Sequence, residues 1–148
     1  MTESSLQSSF LAAIEKRLID VCDRASEMAE GLDEARLNWR PGEGKWSIAQ
    51  CFEHTRLAAD LYVAEMEPAI RHALTRGLRG AEAAQPRHTI AGRLIMWAVD
   101  PDIKFTMKAP RDFRPTMETY PAEVVDYYLR SHRALAALSR DADGLPLG

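Results

Sequence analysis

Apolar residues recur at spacings of three and four over three long stretches of this chain. From about Ser4 to Glu30, Leu6, Phe10, Ile14, Leu18, Val21, Ala25 and Met28 share one helical face, with Arg17, Asp20, Arg24 and Glu27 toward the other. Gly31 supplies a stop, since glycine readily takes the left-handed conformation that closes a helix. A second run, over about 47–76, carries Ile48, Phe52, Thr55, Ala59, Tyr62, Met66 and Ile70 on one face. Ser47 is placed to cap it, and Gln50, three residues on, completes a capping box. Pro68 should kink this helix or end it two turns early. The last run starts near Pro121, a good first-turn residue, and extends to about 140. It has two apolar stripes, one through Val124, Tyr128, Leu135 and Leu138, the other through Val125, Leu129 and Ala136.

The connections are read from proline and glycine. Leu32 to Trp46 holds Pro41-Gly42 and Gly44 and is a turn-rich link. Two tryptophans flanking such a link are costly to leave in water, so Trp39 and Trp46 are expected to pin it against the bundle, with Trp46 largely buried. Residues 77–85 read as a loop, and Thr89 to Val99 as a shorter helix. Pro101, Pro110 and Pro115 make 100–120 irregular, a length of coil that often serves as a lid or binding loop. The expected architecture is a single all-α domain without a sheet.

Composition narrows the class. With 148 residues, 46% apolar and 28% charged, the chain is globular and of one-domain size. A net charge of −3 argues against nucleic acid as a partner, although Arg71, Arg76, Arg79, Arg87 and Arg93 cluster. Cys22 and Cys51 fall among apolar helical residues and read as two small core side chains rather than a disulfide or a zinc motif. The N-terminus lacks the basic-then-apolar pattern of a secretion signal. The longest strictly apolar run, Leu94 to Val99, is far short of the roughly 20 residues of a membrane span. The expected location is the cytoplasm, with no membrane partner.

Four histidines, His54, His72, His88 and His132, are the candidates for chemistry, and none lies at helical ligand spacing from another. His54 sits about 120° around its helix from the Ile48–Phe52–Ala59 stripe, beside Cys51, Ala58 and Leu61. Apolar residues on two flanks mean a helix with two neighbours, so His54 can point into a bundle interior. By residue type alone, a satisfied core or surface histidine is the commoner case.

The stretch Trp39-Arg40-Pro41-Gly42-Glu43-Gly44-Lys45-Trp46-Ser47-Ile48-Ala49-Gln50-Cys51-Phe52-Glu53-His54 changes that balance. It resembles the W-x-P-x-x-x-x-W-S-I-x-x-x-x-x-H signature of the DinB-like superfamily. Lys108-Ala109-Pro110 and Phe113-Arg114-Pro115 look like the proline-bearing segment before that family's third helix. The resemblance implies a DinB/YfiT-like four-helix bundle. It also implies that His54 is one of three imidazole ligands to a divalent metal, commonly zinc or nickel, the other two being an H-x-x-x-H pair on the fourth helix. A three-ligand centre keeps positions open for water or substrate, and its metal activates water or a thiol at neutral pH. Relatives include thiol S-transferases that use low-molecular-weight thiols, a mycothiol-dependent isomerase and hydrolases. The function so implied is a metal-dependent transferase or hydrolase acting on a small thiol and an electrophilic small molecule, with homodimers common in the family.

The departure from the pattern is plain: no H-x-x-x-H occurs anywhere in the sequence. Gly144-Leu145-Pro146-Leu147-Gly148 looks like the loop before the family's fourth helix, so the reading is a domain lacking about 30 residues at its C-terminal end and inactive alone. The alternative is a three-helix variant that completes its core with a second chain. His132 is the remaining candidate for a replacement ligand, although a packing role is commoner there. His72 and His88 read as solvated, and Glu53, Glu65 and Asp126 as helix-surface acids, Asp126 favoured by the helix dipole. A second reading of function is a metal-free helical module for protein–protein or small-ligand binding.

Overall fold

The computed structural model describes residues 8–80 and 109–146. The expected loop at 77–85 is described only to Gly80. The expected short helix at 89–99 and His88 lie outside the described residues. Helix α1 is Ser9–Ala29, α2 is the single turn Glu34–Leu37, α3 is Ile48–Thr75 and α4 is Val124–Asp141. A 3-10 turn, Arg111–Phe113, precedes α4, and no strand occurs among the described residues. The expected all-α class is what the chain adopts.

Helix α1 begins at Ser9, where Ser8 Oγ accepts from Leu11 N–H, and closes before Gly31, whose φ is 72°. Its period is as read, and Ala25 of the predicted stripe is buried, but the rest of the buried seam differs. Leu11, Cys22 and Ala25 are buried, whereas Val21 and Met28 are exposed. Packing against α4 draws in Leu11 and Cys22, each one position along from the stripe members Phe10 and Val21, while Ala25 stays in the seam. Helix α4 packs against both α1 and α3, which is why it carries two apolar stripes. Tyr128, Leu129 and Val124 of α4 meet Cys22 and Ala25 of α1, Ala49 and Phe52 of α3, Leu37 and Tyr120 in one core.

The start of α3 is built as its sequence suggests. Ser47 Oγ accepts from Gln50 N–H at 3.2 Å, and Gln50 Oε1 accepts from Ser47 N–H at 3.1 Å. Both side chains are buried, so Ser47→Ala should cost about 1 kcal/mol in a denaturation series. Pro68 neither ends the helix nor cuts it two turns short; α3 runs on to Thr75, forgoing the one hydrogen bond a proline cannot donate. Its far half is less covered than its stripe suggests, with Tyr62 and Met66 exposed.

Two expectations about side chains fail. Trp46 is 37% exposed rather than largely buried, and Trp39 is 66% exposed. They border an open groove between α1 and α3 instead of plugging the core. Trp46→Ala should therefore cost about 1–2 kcal/mol, well below the loss at a filled core position, as a shift of the denaturation midpoint would show. Cys22 is a core residue but Cys51 is exposed, because its face of α3 turns to that same groove.

Residues 109–120 are tied across the start of α3. Asn38 Nδ2 donates to Tyr120 O at 2.7 Å, and Tyr120 N–H donates to Asn38 Oδ1 at 2.8 Å. Gln50 Nε2 donates to Met117 O, and Arg40 Nη2 to Glu118 O. This strap carries the 3-10 turn to the second turn of α3, where His54 stands.

Candidate functional site

His54 is half-buried, and its Nδ1 lies 2.6 Å from the carbonyl oxygen of Phe113. A carbonyl oxygen only accepts, so Nδ1 must carry the proton. In the neutral ring the lone pair is then on Nε2. Trp46 stands beside the imidazole, ring centroids 5.0 Å apart and planes tilted by 54°. The ring is thus oriented by the strap on one side and by the tryptophan on another. Among the described residues, nothing bonds Nε2. A histidine that ligates a metal commonly donates its other ring N–H to a backbone carbonyl, which fixes tautomer and direction together.

The described residues do not fit a complete three-imidazole centre. Among them, no group of three His, Cys, Asp or Glu side chains could hold a metal ion. His54 is one positioned donor. His72 is exposed in the last turn of α3. His132 is buried in α4, where Nδ1–H donates to Tyr128 O at 2.9 Å and the ring lies 4.0 Å from that of Tyr128. Its surroundings are those of a packing residue.

Burial lowers the His132 pKa, opposed by the hydrogen bond to Tyr128 O and the charge of Asp60. A folded-state pKa below the unfolded value means that the unfolded chain binds the proton more tightly. Stability from this group is complete above the ordinary histidine value of about 6.5 and is lost as pH falls below it. Between pH 7.5 and 5.5 the melting temperature should fall, and His132→Gln should flatten that part of the profile.

On the flank of α3 facing α4, Glu53 is not the solvated acid its sequence suggests. Its side chain is only 12% exposed and accepts from Arg56 Nε at 2.7 Å and Nη2 at 2.9 Å. Arg56 Nη1 also donates to Asp60, and Asp60 Oδ1 accepts from Ser131 Oγ of α4 at 2.5 Å. The spacing Glu53, Arg56, Asp60 is legible as a helical charge row. The partnership with Ser131, 71 residues away, is not. Glu65 and Asp126 are exposed, as read. The Cys22 thiol is pushed up by burial, which keeps it protonated and unreactive.

The groove between α1 and α3 encloses about 540 Å³ and is walled by Val21, Met28, Trp39, Trp46, Cys51 and Phe52. Its lining is almost entirely apolar. Among the described residues no helix is long and apolar enough to cross a membrane.

The family model described as the DinB superfamily matches residues 17–147. No curated protein and no solved structure matches the chain.

Proposed function

Because the chain belongs to the DinB superfamily, we propose that it serves a metal-dependent transferase or hydrolase of the low-molecular-weight-thiol type, with His54 as one metal ligand. The observation that supports this is the His54 Nδ1–Phe113 O bond, which leaves Nε2 as a directed donor atom. The strap and Trp46 hold that atom in place; zinc or nickel bound there would supply Lewis acidity and a more acidic water or thiol. The remaining ligands come from outside the described residues, and a small thiol and an electrophilic small molecule are the substrates.

Zinc or nickel content of the purified protein, before and after His54→Ala, tests the ligand. Bound metal should fall to background in the variant. Metal retained at the wild-type level would remove His54 from the site.

A second reading is a metal-free helical binding module, in a monomeric or dimeric form. The large apolar groove with two exposed tryptophans favours it. A reading frame encoding this domain with an H-x-x-x-H helix supports the enzyme, and one encoding it without such a helix supports the module.

A further inference from the structure

A second cavity, of about 550 Å³, opens between α3, α4 and the strap, on the side where Glu53, Arg56 and Asp60 form their charge row. Its size is in the range of small-molecule sites. Met117, Pro121 and Val124 supply an apolar wall, and Tyr127 carries the Arg130 guanidinium 5.7 Å above its ring centroid.

The polar groups of this wall are partly engaged with one another. Every carboxylate oxygen of Glu53 and Asp60 already accepts a bond, from Arg56 or Ser131. Donors remain on the wall beside them. Arg56 has five N–H groups and uses three, leaving two. Tyr120 Oη accepts from Met117 N–H at 3.1 Å, so its own hydrogen is available. Arg130 has no carboxylate partner among the described residues. A ligand that brings acceptors therefore meets unused N–H and O–H groups, and in Arg130 a cation with no carboxylate of its own among the described residues. Two guanidiniums are offset by two carboxylates on the same wall, which disfavours a multiply charged anion.

We propose that this cavity binds a small monocarboxylic acid with an apolar body. The carboxylate accepts from Arg130 and the free N–H groups of Arg56. The apolar body lies against Met117, Pro121, Val124 and the Tyr127 ring. The site makes no use of His54, whose ring is turned to the 3-10 turn, so it stands or falls apart from the metal reading.

The test uses the full chain, isotope-labelled, titrated with phenylacetate, with phenethylamine and with inorganic phosphate. Phenylacetate should give saturable amide shifts centred on 117–131, and the other two should neither match nor displace it. Arg130→Gln, at an exposed position, should weaken phenylacetate about three- to fivefold. Arg56→Gln should weaken it about tenfold or more, since its bonds are shielded and charge-assisted. Arg56→Gln also leaves Glu53 without its partner, so Arg130→Gln decides the question if the first variant fails to fold. The proposal is overturned by absence of saturable shifts, by phenethylamine binding as well as phenylacetate, by displacement with phosphate, or by an affinity that Arg130→Gln does not change.

Discussion

Replacing Phe52 with alanine should lower the free energy of unfolding by about 3–5 kcal/mol, the loss typical of an aromatic removed from a filled core. Phe52 is 5% exposed and meets Tyr128 edge-on, ring centroids 4.9 Å apart at 63°. That pair joins α3 to α4, and Tyr128 also belongs to the core that reaches Cys22 and Ala25 of α1. Removing the ring therefore loses its own burial and the face on which Tyr128 rests. Its tyrosine partner is deeply set: burial pushes the Tyr128 hydroxyl up to about 12, with Cys22 adding to the shift. Urea denaturation followed by far-ultraviolet circular dichroism would measure the change, and a loss under about 1 kcal/mol would show the core to be elsewhere.

Leu37→Ala should cost about 2–5 kcal/mol, although the residue sits in a one-turn helix within a connection. Leu37 is 1% exposed, among the most deeply buried large side chains of the described residues. Asp33 Oδ1 caps the turn by accepting from Arg36 N–H at 2.8 Å, and Asn38 fastens its end to Tyr120. The leucine is driven into the core by two flanking anchors, so its loss leaves a cavity that the clamped backbone is poorly able to close. The same denaturation measurement applies. A change within 0.5 kcal/mol, the range of ordinary surface substitutions, would mean that the turn is not held as described.

Phe52 and Leu37 differ in how far the sequence announces them. Phe52 was legible because α3 repeats its apolar positions over many turns and announces its start through Ser47 and Gln50, contacts three residues apart. Leu37 was not, because a helix of four residues has no period to detect. In α1 the period was legible but the phase was not. Stripes through Val21, Ala25 and Met28 and through Leu11, Cys22 and Ala25 fit the same spacing, and only the position of α4 decides between them. At the candidate site, His54 was found through a motif, but its orientation depends on Phe113, 59 residues away, and could not be read. Glu53 looked like a surface acid because Met117, Tyr120 and Ser131, which share its cavity wall, are all distant in sequence.

The strap holds His54 Nδ1 against the Phe113 carbonyl, which leaves Nε2 as the donor atom of the proposed metal site. The most direct measurement is the imidazole nitrogen spectrum of the isotope-labelled protein near pH 7.5, with and without added zinc. The Phe113 bond predicts that His54 shows a protonated Nδ1 and an unprotonated Nε2, and that zinc moves this Nε2 signal ahead of those of His72 and His132. A His54 ring protonated at Nε2 would rule out the strap as its tautomer-setting partner, and zinc that shifts the other histidines and leaves His54 unchanged would remove His54 as a ligand.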